Sequence, residues 1–312
     1  MKVVFCGTPE FAVPTLKHLL SQPDFEIAAV ITQPDRPSGR GMKLKFSAAK
    51  EAALAANVPV HQPEKIRAAD SRQLLESLAP DVIVIIAYGQ IIPASLLIIP
   101  RLGWINLHGS LLPKYRGAAP IQWAIANGET RTGLTSMRID AGMDTGAILL
   151  QGETSILPTE TTPQLAARLA EMGAPLMADT LRGIAAGTLH SRPQRNEDAS
   201  YAPLLKKEDG RVDWSRTAAE IYNRIRAFTP WPGAFTAFRG QTCHIAGEAV
   251  SNETTVAPPG TIRTTNGELR VACGGATELR ILSVKLAGGQ AMPAADFAAS
   301  LRLTEWGRFG DS

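Results

Sequence analysis

Cysteine is scarce in this 312-residue sequence: Cys6, Cys243 and Cys273 are odd in number, far apart and without CxxC spacing. That argues against a disulfide framework and a structural zinc site, and it suits a reducing cytoplasm. Cys6 closes an apolar run and reads as a buried structural thiol rather than a nucleophile. No apolar stretch approaches the roughly 20 residues that span a bilayer, so a soluble protein with no membrane partner is expected. The N-terminus lacks the longer apolar run and small-residue cleavage site of a signal peptide. HExxH and GxSxG are both missing, which removes the commonest zinc-peptidase and serine-hydrolase readings. A dinucleotide fingerprint is missing too. Gly7-Thr8-Pro9-Glu10-Phe11 has one glycine and reads first as a turn with Pro9 in the opening helical turn. Excess charge is small: a net charge of +3 does not by itself identify a polyanionic partner. Nothing calls for an obligatory protein partner.

What is present is a 45% hydrophobic, 20% charged globular composition. In the first half, short apolar runs alternate with helical patterns. Val3–Cys6, Glu26–Thr32, Val58–His61, Val82–Ala87 and Ile105–His108 read as strands, with helices expected at Phe11–Leu20, Ser47–Ala56 and Asp70–Leu78. This alternation implies an α/β domain with a Rossmann-like, mostly parallel sheet covered by helices on both faces. The run from Asp81 to Ala87 is apolar without alternation, as a central strand buried on both sides would be. Thr132–Ile139 and Ala147–Ile156 read as two further strands around a glycine-rich turn, followed by a long helix or helix pair over Thr161–Gly187. Residues 1–190 are expected to form this domain, 191–205 a polar linker, and 206–312 a smaller, OB-like β-barrel domain. The last is punctuated by Trp231-Pro232-Gly233, Pro258-Pro259-Gly260 and Asn266-Gly267.

In open α/β sheets ligands bind beyond the carboxyl ends of the strands, so the segments after Cys6, Thr32, Ala87 and His108 are the ones to inspect. After Thr32 comes a basic loop, with Arg36, Arg40, Lys43 and Lys45 against one carboxylate. A solvated surface loop is its bland reading, but its place over the crevice suits contact with phosphates. Asn106 and His108 are two apart on a strand and project from one face, which sets an amide beside an imidazole. Asp140 and Asp144 lie in the turn between the two later strands. A carboxylate brought to His108 would orient its ring. Singly, His108 could be a core histidine and each aspartate a turn former. Together they describe an acyl-transfer site in which an amine is its own nucleophile and the enzyme stabilises an oxyanion and moves protons.

At these residues the chain resembles the 10-formyltetrahydrofolate-dependent formyltransferases. Their signature has an Asn, a His two residues on, a Ser-Leu-Leu-Pro and a distant Asp in a glycine-rich turn. Here these are Asn106, His108, Ser110–Pro113 and Asp144. The resemblance runs nearly end to end and is closest to the branch acting on methionyl-tRNA. It rests on Gln33–Arg40 with its basic continuation, Arg116-Gly-Ala-Ala-Pro-Ile121, Arg226-Ala-Phe-Thr-Pro-Trp-Pro232 and the C-terminal domain. One departure is Lys45-Phe-Ser-Ala-Ala49, where the resemblance leads one to expect a proline.

The resemblance implies that Asn106 and His108 hold the oxyanion while Asp144 supports His108 and helps proton transfer. It implies 10-formyltetrahydrofolate as cosubstrate, without a metal, lying against Tyr88, Gly89, Gln90 and Ile91, against Ser110, Leu111, Leu112 and Pro113, and against the turn at Asp140. Initiator methionyl-tRNA is the implied partner, met by Arg36, Arg40, Lys43 and Lys45. Lys206, Lys207 and Arg211 are further candidates near the domain junction, each at even odds with a solvated linker. Rival readings are a formyltransferase acting on a nucleotide-linked amino sugar or on glycinamide ribonucleotide, a hydrolase of formyl-folate, and a nonenzymatic RNA-binding module. Whether Leu112-Pro113 is cis stays open at this level.

Overall fold

The computed structural model describes residues 1–38, 43–249, 254–265, 267–300 and 307–310. The chain divides into two compact units. Met1–Pro120, Arg131–Ser155 and Gln164–Ala202 form the first, and Ile121–Thr130, Ile156–Pro163 and Pro203–Ser312 form the second.

The first unit opens with β1 (Lys2–Gly7), α1 (Val13–Ser21) and β2 (Glu26–Ile31). Next come β3 (Arg36–Ser38), β4 (Lys43–Lys45), α2 (Ala48–Ala55), β5 (Val60–His61), α3 (Ala69–Leu78), β6 (Val82–Ile86), α4 (Ala94–Leu97) and β7 (Trp104–His108). After α5 (Pro120–Ala126) the chain returns as β8 (Arg131–Arg138), β9 (Ile148–Ser155) and the long α6 (Thr162–Ala185). Seven strands make one sheet in the order β5-β2-β1-β6-β7-β8-β9. β5, β2, β1, β6 and β7 pair in parallel, whereas β8 and β9 are antiparallel additions. The direction of winding reverses between β1 and β6. Right-handed crossovers toward β2 and β5 and back toward β6 and β7 therefore put their helices on opposite faces.

β6 earns its central place by composition: all five residues of Val-Ile-Val-Ile-Ile are buried. Fully burying each such side chain is worth about 1.5–3 kcal/mol. Val4, Ile83, Ile85, Leu75, Leu96 and Trp104 belong to one core cluster, and the Trp104 indole donates to the Leu96 carbonyl at 3.0 Å. α2 starts where Ser47 accepts from the Lys50 N–H at 3.1 Å, a cap that explains its onset.

One expectation needs correcting. The stretch Gln33–Lys45 reads as a loop, yet Arg36–Ser38 and Lys43–Lys45 pair as a two-stranded antiparallel ribbon in the register Arg36↔Lys45. Lys43-Leu44-Lys45 alternates with period two, as a short strand does. Residues 191–202, assigned to the linker from their polarity, are part of the first unit, where Arg192 bridges Ile148 and Tyr201 bridges Arg116.

In the second unit, α7 (Ala218–Ala227) is opened by a reciprocal capping box between Thr217 and Glu220. Then follow β10 (Phe235–Phe238), β11 (Gln241–Ala249), β12 (Ile262–Thr265), β13 (Glu268–Ala272), β14 (Glu278–Leu286), β15 (Met292–Pro293) and α8 (Ala294–Ser300). The strands form an antiparallel sheet ordered β10-β11-β14-β13-β12, with β15 on β14. Its core joins Ile221 and Ile225 of α7 to Phe238, Ile245, Leu279, Phe297 and Phe309. Among the described residues no helix is long and apolar enough to cross a membrane.

Candidate active site

The residues singled out in the first unit follow the carboxyl ends of β2, β6 and β7 or lie in the β8–β9 turn. β7 delivers Asn106 and His108 on one face, and Asn106 is the only residue of that strand left partly exposed. Among the described residues its side-chain amide makes no hydrogen bond. His108 is 6% exposed. Its Nε2 lies 2.9 Å from the Tyr115 carbonyl, and because a carbonyl only accepts, Nε2 carries a proton. The other nitrogen, Nδ1, faces Asp144 Oδ2 at 3.6 Å.

Asp144 arrives from the β8–β9 turn. Its own backbone is left-handed, with φ of 53°, and the Gly117 N–H donates to Oδ2 at 2.8 Å. Asp140, the other aspartate of that turn, stays away from His108. Its carboxylate accepts from the Gly142 N–H at 3.0 Å and from Thr145 Oγ1 at 2.7 Å, the work of a turn former.

The turn after β7 is held by its own hydrogen bonds. Ser110 Oγ donates to the Lys114 carbonyl at 2.6 Å, and Thr135 Oγ1 donates to the Ser110 carbonyl at 2.7 Å. The Leu112 N–H donates to Thr135 Oγ1 and the Leu112 carbonyl accepts from Gln151 Nε2. Leu112-Pro113 is cis. Leu112 is buried, and the Leu111 side chain packs on Gly133.

Tyr88 presents its backbone and not its ring. The ring is buried, its hydroxyl pKa is pushed upward by that burial, and its carbonyl accepts from Thr8 Oγ1 and Gln33 Nε2. Gly89, with φ of 88°, sits against Gln33. Gln90 reaches across the crevice to accept from the Ile66 N–H at 2.7 Å, and Ile91 is almost wholly exposed.

Of the cations expected to meet RNA, Arg36 pairs with Glu64 at 2.6 Å on the exposed ribbon, and Lys45 stands opposite it in register, exposed. Lys43 pairs with Ser38 through its backbone, and Arg40 lies outside the described residues. The ribbon's base is tied down by Lys50, whose ammonium contacts Asp35 and Gln62; the Lys50 ammonium and then the Gln62 amide, which donates to Asp35 Oδ1 at 2.9 Å, hold the Asp35 carboxyl below its usual range. Lys206, Lys207 and Arg211 are exposed residues of the second unit, at a short turn of helix over Lys207–Gly210. Among the described residues no cluster of three or more His, Cys, Asp or Glu could hold a metal ion.

Residues 1–181 match the formyl transferase family model, and residues 204–302 match that of the formyl transferase C-terminal domain. The chain belongs to the formyl transferase family. It is 52% identical over 311 residues to a methionyl-tRNA formyltransferase of Acidobacterium capsulatum, covering 99% of this chain and 100% of that one. A methionyl-tRNA formyltransferase of Koribacter versatilis is 52% identical over 303 residues, 97% of this chain and 96% of its own length. Among solved structures, the sugar 3N-formyl transferase WlaRD, crystallised with dTDP and 5-N-formyl-THF, superposes with a TM-score of 0.67 at 20% identity. It covers 93% of this chain and 99% of its own, a likeness of fold.

In this formyl transferase the groups that hold His108 and Asp144 are the Tyr115 carbonyl and the Gly117 N–H, and backbone groups leave no residue-type pattern to find. Gly117 was their one legible trace. Its φ is 120° and an added Cβ would stand 2.6 Å from the Ala202 carbonyl oxygen.

Proposed function

We propose that this protein transfers the formyl group of 10-formyltetrahydrofolate to the amino group of initiator methionyl-tRNA. The observation that carries the reading is the free amide of Asn106 beside the His108–Asp144 pair, in a chain 52% identical end to end to a methionyl-tRNA formyltransferase. The methionyl amine attacks the formyl carbon, and the carbonyl oxygen gains charge as the carbon becomes tetrahedral. Asn106, whose N–H groups have no protein partner among the described residues, donates to that oxygen. His108 lines the same face, tied at Nε2 to Tyr115. The attacking nitrogen must lose a proton and the folate nitrogen must gain one before the C–N bond breaks. Asp144 and His108 Nδ1, 3.6 Å apart, form the relay for that transfer.

The folate lies along the Tyr88–Ile91 and Ser110–Pro113 backbones. The Asp140 carboxylate contributes by shaping its turn. Residues 1–190 carry the chemistry, and 206–312 together with Arg36, Arg40, Lys43 and Lys45 contact the tRNA backbone. Three free, buried thiols suit action in the cytoplasm.

The test is direct: incubate the protein with 10-formyltetrahydrofolate and either charged initiator methionyl-tRNA or a nucleotide-linked amino sugar. Formylmethionyl-tRNA is expected. Formylation of the sugar alone would overturn the reading.

A further inference from the structure

The mechanism above leaves one buried cluster without a task. Arg116 is 2% exposed, yet its hydrogen bonds go to two neutral amide oxygens: Nε donates to Gln194 Oε1 at 2.9 Å and Nη2 to Asn196 Oδ1 at 3.0 Å. A buried guanidinium is costly unless its donors are placed with care. What this placement achieves is visible at the far side of Gln194. Its Nε2 donates to the Asp144 carbonyl at 2.8 Å and to the Gly146 carbonyl at 2.8 Å. One amide thus joins the two pieces of chain that hold the reacting pair. Arg116 lies between Tyr115, which accepts from His108, and Gly117, which donates to Asp144.

The same segment braces the Tyr115–Gly117 turn from behind. Ser200 Oγ accepts from the Tyr115 N–H at 2.9 Å, and the Ser200 carbonyl accepts from the Arg116 N–H at 2.8 Å. The Ala202 N–H donates to the Arg116 carbonyl at 2.7 Å, and Gly117 lets the two backbones touch. We propose that residues 194–202 form a brace which sets the separation of His108 and Asp144, with Gln194 and Arg116 as positioning residues for formyl transfer.

Chemistry explains why position 194 is a glutamine. The site needs one acceptor toward Arg116 and two N–H donors toward the Asp144 and Gly146 carbonyls, which is the inventory of a primary amide. Glutamate would keep the first and lose both others, adding negative charge beside Asp144. Methionine, of similar length, would lose all three.

The proposal rests on the formyl-transfer reading for its kinetic arm and not for its spectroscopic one. Full-length Gln194→Met and Gln194→Glu are compared with the parent protein by steady-state kinetics and by ¹⁵N NMR of the histidine rings. The His108 resonance is assigned by its loss in His108→Asn. Both variants are expected to lower kcat about 10–100-fold while KM for either substrate stays within about threefold, the mark of misplaced reacting groups rather than lost binding. The His108 ring signals should move in both. A folded Gln194→Met protein with kcat within about threefold of the parent and an unmoved His108 ring would overturn the brace. Should Gln194→Met fail to fold, Gln194→Glu, which keeps its bond to Arg116, decides the matter by the same two readouts. If the parent itself transfers no formyl group, the proposed activity falls, and the ring signals still report whether Gln194 positions His108.

Discussion

The Gly117 N–H holds Asp144 Oδ2 at 2.8 Å and so fixes the carboxylate 3.6 Å from His108 Nδ1. Two residues back in the same turn, the Tyr115 carbonyl fixes the other end of the imidazole. Both ring nitrogens are therefore directed by protein acceptors, whereas the Asn106 amide makes no hydrogen bond among the described residues. In the proposed mechanism this divides the donor from the relay, and mutation can separate them.

Asn106→Ala should reduce turnover by about 10²–10³, the usual cost of one oxyanion donor, with little change in folate binding. Formylation of charged tRNA at saturating folate measures it. An unchanged rate would remove Asn106 from the chemistry.

Two glycines differ in the room they leave for a side chain. A Cβ at Gly146 would lie 1.7 Å from the Arg138 carbonyl oxygen, whereas Gly187, at φ of 68°, has nothing within 4 Å. Gly146→Ala should cost on the order of 3 kcal/mol or more, because backbone must shift. Gly187→Ala should cost only about 1 kcal/mol of left-handed strain. Urea unfolding of the two variants should reproduce that order.

Burial pushes the thiol of Cys243 up to about 11 and that of Cys273 to about 12, and raises Cys6 further. All three are free. Native protein near pH 8 should therefore resist an aromatic disulfide reagent, and three equivalents should react once denaturant is added. Rapid reaction of one thiol in the native state would contradict the burial.

Asp35 gives the ribbon's base a dependence on acid. Its folded pKa lies below the ordinary 3.8 because Lys50 and then Gln62 stabilise the carboxylate. The sign follows from linkage: the stabilisation is complete above the unfolded value and is lost as pH falls through the lower, folded one. Lys50→Met should flatten the acid side of the stability curve in that window and lower the stability at neutral pH, where the pair is fully formed. Denaturation midpoints taken across pH provide the check.

Arg40→Ala and Lys45→Ala should raise KM for tRNA, each reducing the salt dependence by a slope of about 1. The folate KM should not move. Unaltered salt dependence would take the ribbon out of tRNA recognition.

Much of this is legible in the sequence. The period-two and apolar runs placed β1, β2, β6 and β7 because a strand buried on both faces has little choice of residue, and the Asn106–His108 spacing set both on one face by strand geometry alone. The helix expected over Ser47–Ala56 was legible for an equally local reason, its apolar period, and it starts where Ser47 accepts from the Lys50 N–H. What escaped was whatever depends on chain far away in sequence. The Lys43–Lys45 strand was hidden because it is three residues long and exists only by pairing with Arg36–Ser38. Asp140 and Asp144 are four residues apart and alike in type, and only the fold turns one inward to His108 and the other onto Thr145. Polar residues 194–202 look like linker because polarity signals solvent unless buried donors and acceptors are waiting. Tertiary structure supplied those partners, Tyr115 to Gly117 on one side and Asp144 to Gly146 on the other, and so decided that this segment belongs to the site.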